Sequence, residues 1–176
     1  MAILLEPHST SFFRKGLLLK ILFSSLSIIL LGGLSAYNMQ VSGWFENDVV
    51  KPFFQPPNWL FGPVWTLLYI TMGISFGRIW QVANRSRYPI IRKYALRGMF
   101  LFIMHLILNL AWTPVFFGLR NPLLALVVIL VLWLMILFVI RHFNRLDSLS
   151  GLILIPYLLW VTFASILNFS IVMLNN

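Results

Sequence analysis

The sequence predicts an all-α membrane protein, a single domain over residues 1–176 built as a bundle of five transmembrane helices. Of its 176 residues, 60% are hydrophobic and 10% are charged, whereas a soluble domain carries about 25% charged residues. The apolar residues gather into five runs, each close to the roughly 20 residues that a membrane-spanning helix needs. The predicted spans lie at about 17–37, 59–80, 96–117, 123–140 and 151–174.

The basic residues are divided unevenly between the two ends of this bundle. With five spans, Lys51 and Arg120 fall on one side and the other 11 of the 13 basic residues fall on the side of the amino terminus: Arg14, Lys15, Lys20, Arg78, Arg85, Arg87, Arg92, Lys93, Arg97, Arg141 and Arg145. Positively charged loops stay in the cytoplasm. The sequence therefore predicts a bacterial cell membrane with the N-terminus inside and the C-terminus outside, with a mitochondrial outer membrane as the alternative. Topology, and not nucleic-acid binding, then explains the net charge of +9.

The sequence lacks the residues that several classes of catalytic and metal site require. The chain has no cysteine, which excludes disulfides, thiolate nucleophiles and Cys-based zinc sites. Four acidic residues in the whole chain argue against a carboxylate metal cage or a pair of catalytic carboxylates. A glycine-rich phosphate loop, a G-x-S-x-G elbow and an HExxH motif are also missing from the sequence. We therefore predict no catalytic residue, no metal site and no required cofactor.

The first span follows a basic segment that contains Arg14 and Lys15. A basic start before an apolar run is also typical of a signal peptide. The run is long enough to span, and it lacks a convincing cleavage site, so we predict an uncleaved helix. After it comes the longest predicted loop, 38–58, which is too apolar for a free linker. It is expected to lie at the membrane interface or to fold over the bundle.

The second span begins after a proline pair, Pro56 and Pro57, which disfavours an earlier helix start. Asn58 is the predicted N-cap. Trp65 and Tyr69 lie four residues apart and share one helix face, which could be packing or the wall of a binding site. Further along, the sequence GISFG at 73–77 is a GxxxG pattern, which permits close helix packing but also arises by chance in apolar chains.

Polar and aromatic residues mark the third and fifth spans, whereas the fourth is nearly all aliphatic. His105, Asn109 and Trp112 share a face of the third span. Polar residues inside a membrane indicate either function or hydrogen bonds between helices; both stay open for Asn109, and the hydrogen bond is favoured over metal or haem ligation for His105. In the fifth span, Trp160 and Ala164 share a stripe that could face a flat guest, although spacing alone favours a neighbouring helix.

Three motifs together resemble the translocator protein / tryptophan-rich sensory protein family (TspO/MBR). They are WF…KPFFQPPNWLFGPVWTLLYITMG at 44–73, LNLAWTPVFFG at 108–118 and PYLLWVTFASILN at 156–168. The resemblance implies a five-helix membrane bundle, often a homodimer, that binds tetrapyrroles such as protoporphyrin IX in a pocket covered by the first loop. Matched by motif, the implied ligand-binding residues are Phe45, Phe61, Trp65, Asn109, Trp112, Trp160, Ala164 and Leu167.

The chain departs from the family pattern at some positions. Phe45 stands where the family usually has a tyrosine, and His105 where it often has glutamine. The cholesterol-recognition pattern at the end of the fifth helix is absent, because Phe169 replaces the tyrosine and no Lys or Arg follows. We therefore expect a membrane receptor or regulator of porphyrin and do not predict cholesterol as the main ligand. The alternatives are light-dependent porphyrin breakdown, porphyrin or lipid transport, and a structural membrane protein.

Overall fold

A computed structural model describes residues 10–41 and 43–175, and within them the side chains of 15–37 and 43–175. Over these residues the backbone forms helices and no strands. In chain order the elements are α1 Thr10–Val41, α2 Trp44–Asn47, α3 Asn58–Arg85, α4 Pro89–Thr113, a π-helical turn Pro114–Gly118, α5 Pro122–Leu146, α6 Ser148–Leu152 and α7 Ile155–Asn175.

Five stretches of the described chain are long and apolar enough to cross a membrane: Lys15–Tyr37, Asn58–Arg85, Pro89–Gly118, Pro122–Leu146 and Ser148–Asn175. The predicted fold class, an all-α bundle of five transmembrane helices, is confirmed. The helices run past the predicted ends of the spans. Backbone hydrogen bonding does not stop where an apolar run stops, and long basic side chains can reach out of the apolar layer. The side chain of Arg14 lies outside the described residues.

Glycines bring α1 and α3 into close contact. A Cβ atom added to Gly77 would lie 2.8 Å from Cα of Ile21, and one added to Gly73 would collide with the backbone of Ser25. The GxxxG pattern at 73–77 is therefore a packing face, because only the missing side chains let the two backbones approach this closely.

The first loop is shorter than predicted, because α1 continues to Val41 and α2 adds a further turn. The predicted cap at Asn58 is wrong. Pro57 occupies the N-cap position in extended geometry (φ −56°, ψ 140°), and the helix already includes Asn58. The amide of Asn58 instead donates to Oε1 of Glu46 at 3.1 Å, which joins the start of α3 to α2.

The fifth span is interrupted near its start, where α6 gives way to α7. Two contacts fix this corner to α3. Arg78 of α3 forms an ion pair with Asp147, the residue before α6, with Nε and Oδ2 2.7 Å apart. The hydroxyl of Ser75 donates to the carbonyl oxygen of Ser150 at 2.7 Å, and both residues are fully buried.

Candidate ligand cavity

A cavity of about 500 Å³ lies between the helices, toward the end of the bundle that carries α2. Side chains from α1, α2, α3, α4, α5, α7 and the π-helical turn line it. All eight residues named for the ligand wall lie on it: Phe45, Phe61, Trp65, Asn109, Trp112, Trp160, Ala164 and Leu167. The fold thus brings them together, and their contact with a ligand stays a prediction.

The cavity is partly open between α1 and α3. Gly33 of α1 and Gly62 and Thr66 of α3 line it and are exposed. A Cβ atom added to either glycine would meet nothing within 4 Å. The cavity therefore has unfilled space beside Gly33 and Gly62, whereas aromatic rings form most of the rest of its wall.

A proline shapes the end of α4 beside the cavity. Pro114 has no N–H, so it cannot donate to the carbonyl of Leu110 one turn earlier. The hydroxyl of Ser35 on α1 donates to that carbonyl instead, at 2.7 Å. The chain then widens into the π-helical turn, in which the Leu119 N–H donates to the Pro114 carbonyl at 2.9 Å.

The π-helical turn points two phenylalanines inward under α2. Phe45 of α2 makes edge contacts with Phe116 and Phe117, with ring centroids 5.7 and 5.3 Å apart. Phe116 also stacks on Trp112 at 5.1 Å. The ammonium of Lys51 lies 5.0 Å from the centre of the Phe45 ring, so ring packing and a cation–π contact hold Phe45 over the cavity without a hydroxyl.

Two tryptophans form the wall between α3 and α7. Trp160 meets Phe61 edge to face, with centroids 5.8 Å apart. Trp65 lies 5.4 Å from Tyr69 and 6.3 Å from Tyr157. The ring of Trp160 packs on a neighbouring helix, as spacing favoured, and it also lines the cavity; its contact with a flat guest stays a prediction.

The polar floor of the cavity is formed by Tyr69 and Asn109, and Tyr157 lies fully buried behind them. Asn109 donates from Nδ2 to the hydroxyl of Tyr157 at 3.0 Å, and its Oδ1 accepts from the hydroxyl of Tyr69 at 3.4 Å. Asn109 is thus hydrogen-bonded between helices and also lines the cavity. The two tyrosines were not among the predicted site residues, although Tyr69 shares the helix face of Trp65 and Tyr157 lies inside the third motif.

A second polar contact ties the cavity wall to the start of α5. Nε1 of Trp112 donates to Oδ1 of Asn168 at 3.2 Å, and Nδ2 of Asn168 donates to the carbonyl of Pro122 at 2.9 Å. Asn168 also lines the cavity. Its place as the last residue of the third motif is the signal by which it could have been found.

His105 lies behind the cavity wall. It is fully buried, and its ring meets Tyr157 edge to face at 5.8 Å. Its Nδ1 lies 2.5 Å from the carbonyl oxygen of Phe102 on its own helix. The hydrogen bond between helices that was expected of His105 is therefore replaced by one within α4, since that carbonyl is the nearest acceptor.

Comparison with known proteins decides the family. A model of the TspO/MBR family matches residues 21–174. The chain belongs to the TspO/MBR family. It is 40% identical over 162 residues to the tryptophan-rich protein TspO of Archaeoglobus fulgidus, covering 90% of this chain and 98% of that one. It is 39% identical over 141 residues to the protein of the same name from Chlorobaculum tepidum, covering 80% and 85%. Human translocator protein is 32% identical over 128 residues, covering 73% and 72%.

Membership of the TspO/MBR family and five apolar helices together make this an integral membrane protein. The kind of membrane and the side on which each terminus lies stay predictions. Within the described ranges, His, Asp and Glu side chains nowhere gather in threes. What the cavity of this TspO/MBR member offers a guest is aromatic surface, together with amide and phenol groups on its floor.

Residues 43–57 form a covering segment, of which Gly43, Phe45 and Glu46 line the cavity. Its middle is held to α7, because Asn175, the last residue of α7, donates to the carbonyl of Val50 at 3.0 Å and accepts from its N–H at 2.9 Å. Its α2 turn is held to the start of α3, because the side-chain amide of Asn58 donates to Glu46. Within the segment, the ammonium of Lys51 donates to the Glu46 carbonyl at 3.2 Å.

Proposed function

We propose that this TspO/MBR member is a membrane receptor or regulator that binds a flat tetrapyrrole such as protoporphyrin IX. The observation that carries the proposal is that the eight motif residues, which come from four helices, surround one cavity. Its volume of about 500 Å³ lies within the roughly 300–1,000 Å³ of small-molecule sites. A planar apolar macrocycle would stack on the aromatic rings that form most of its wall.

The polar contact of such a ligand would be made at the floor. Asn109 is already engaged by two tyrosines, so a ligand has to exchange one of those hydrogen bonds for its own. The bond from Tyr69 is the longer, at 3.4 Å against 3.0 Å for the bond to Tyr157. Long hydrogen bonds are the weaker ones. We therefore assign the ligand's polar contact to the Tyr69–Asn109 pair.

The test is a titration of the purified protein in lipid nanodiscs with protoporphyrin IX, followed by tryptophan fluorescence. Trp65→Leu and Trp160→Leu each remove one stacking surface and are expected to weaken binding by up to about tenfold, since an aromatic contact contributes roughly 0.5–1.5 kcal/mol. Trp133→Leu is the matched control, because Trp133 lies on α5 and donates to Thr162 at 2.8 Å, outside the cavity. Equal affinity in the wild type, Trp65→Leu and Trp160→Leu would contradict the proposed site.

Breakdown and transport of the porphyrin would use the same cavity and stay predictions, as does the homodimer. Illumination of the complex distinguishes breakdown of the porphyrin from simple binding. Loss of porphyrin absorbance faster than in empty nanodiscs would indicate breakdown, and an equal rate would leave the receptor role. Flux of porphyrin into sealed liposomes that contain the protein would indicate transport.

A further inference from the structure

A lysine of α1 is held in one place at the basic end of the bundle, far from the cavity. Lys20 lies inside the first membrane span, and its ammonium donates to Oε1 of Gln81 on α3 at 2.5 Å. The same ammonium lies 5.7 Å from the centre of the Trp80 ring. Trp80 in turn packs edge to face against Phe23, with centroids 6.1 Å apart. The lysine thus closes the seam between α1 and α3.

The charge of Lys20 is not neutralised by these contacts. An amide oxygen and an aromatic ring are both neutral partners. The ion pair found over the described side chains joins Arg78 and Asp147 and does not include Lys20. Charged side chains within a membrane span are expensive and normally have a partner, and among the described side chains Lys20 has no acidic one.

The polar group next to Lys20 lacks a partner as well. Gln81 is only 4% exposed, and its Nε2 has no hydrogen-bond acceptor. Rotating the Gln81 amide by 180° would place its NH₂ group against the Lys20 ammonium, and two donors cannot pair. The hydrogen bond from Lys20 therefore fixes the orientation of the Gln81 amide. A buried donor without an acceptor is destabilising. The seam therefore presents donors from both residues, and its complement is an anion with several acceptor oxygens.

The depth of the seam indicates which anion. Lys20 lies close to the start of its span, and Trp80 and Gln81 lie in the last turns of α3. Tryptophans at the ends of spans sit at the level of lipid headgroups. Beside this position α1 presents Leu19 and Phe23, which are 68% and 64% exposed, as a stripe along which an acyl chain can lie.

We propose that Lys20, Trp80 and Gln81 form a binding site for the phosphate of an anionic phospholipid. The lipid phosphate accepts hydrogen bonds from the Lys20 ammonium and from the amide of Gln81, which moves slightly to meet it. The lipid thereby joins α1 to α3. The same two helices carry part of the cavity wall further along, so the lipid stabilises the pair from the basic end. The site is separate from the proposed porphyrin cavity and does not depend on it.

The experiment compares thermal unfolding of the full-length protein in nanodiscs of pure phosphatidylcholine and of phosphatidylcholine with phosphatidylglycerol. The wild type is expected to unfold about 2–4 °C higher with phosphatidylglycerol, as a ligand of the folded state. Lys20→Met should lose this increment. Lys93→Met is its control, because Lys93 is an exposed lysine at the same end of the bundle, and it should keep the increment.

A second pair of variants keeps the proposal testable if Lys20→Met fails to fold. Gln81→Glu places a carboxylate beside Lys20 and should remove the effect of phosphatidylglycerol, because the counter-ion is now part of the chain. Asn84→Glu makes the same charge change at an exposed position of α3 and should leave the effect intact. An equal increment in Gln81→Glu and Asn84→Glu would overturn the site. An increment produced by inorganic phosphate in phosphatidylcholine nanodiscs would overturn its assignment to a lipid.

Discussion

The ion pair between Arg78 and Asp147 gives the sharpest prediction about stability. Nε and Nη2 of Arg78 donate to the two carboxylate oxygens of Asp147 at 2.7 and 2.9 Å. The two side chains are 27% and 21% exposed, so the pair lies between the surface and buried cases. Removing one partner costs about 0.2–1 kcal/mol at a surface and about 3–5 kcal/mol in the interior. We therefore expect Asp147→Asn to lower the free energy of unfolding by about 2 kcal/mol.

The same pair makes stability depend on pH. Burial by itself raises the pKa of Asp147, but hydrogen bonds from Arg78 and Ser150 and the charge of Arg78 outweigh it and hold the pKa below its ordinary value. An unfolded aspartate has a pKa of about 3.9. Because the folded-state pKa is the lower one, the ion pair contributes fully to stability above the unfolded-state pKa. That contribution is lost as the pH falls from there through the folded-state pKa. Wild-type stability should therefore fall as the pH drops below about 4, and the part of this fall that is due to Asp147 should vanish in Asp147→Asn.

The assay is unfolding in nanodiscs at pH 7 and across the acid range, for Arg78→Gln, Asp147→Asn and the double variant. A double-mutant cycle isolates the pair, and residues in contact show coupling of about 0.5–3 kcal/mol. Arg141→Gln is the control, because Arg141 is an exposed arginine on α5. Strictly additive effects of the two single changes would refute the reasoning, as would an Asp147→Asn variant that unfolds like the wild type.

Two further predictions concern the covering segment and the helix seam. Asn175→Ala removes both hydrogen bonds to the backbone of Val50. It should speed amide exchange there up to about thirtyfold, since each of the two bonds contributes about 1 kcal/mol. Unchanged exchange in hydrogen–deuterium mass spectrometry would contradict this. Gly73→Ala should lower the melting temperature because its Cβ meets the backbone of Ser25, at a cost of roughly 1–3 kcal/mol. Gly62→Ala, where the added Cβ meets nothing within 4 Å, should melt at or slightly above the wild type, since alanine is favoured over glycine inside a helix by roughly 0.5–1 kcal/mol.

The five spans could be predicted because lipid offers no hydrogen bonds to a backbone, so an apolar run of sufficient length has to become a helix. Spacing within a run then gave the shared face of Trp65 and Tyr69. Spacing could not predict which helix that face packs against. In the same way, it could not show that Trp160 packs against Phe61 of α3. The motifs of the family supplied the set of lining residues that periodicity alone did not.

Contacts across the bundle were less accessible from the sequence. Tyr157 was missed because its partner, Asn109, lies 48 residues earlier on another helix. Periodicity orders the side chains of one helix and says nothing of the rotation of its neighbour. The release of the Leu110 carbonyl follows from Pro114 in the sequence, but its capture by Ser35 depends on the packing of α1.

By itself, the sequence determined that the protein is helical, that it crosses the membrane five times and that its charges gather at one end, since composition fixes these properties in a bilayer. Only the tertiary structure decided which polar groups meet. It placed Asn109 between two tyrosines, and it set the ammonium of Lys20 against the amide oxygen of Gln81. The physical reason is that lipid and protein interiors are equally apolar, so burial of apolar surface does not select how one helix is turned toward the next.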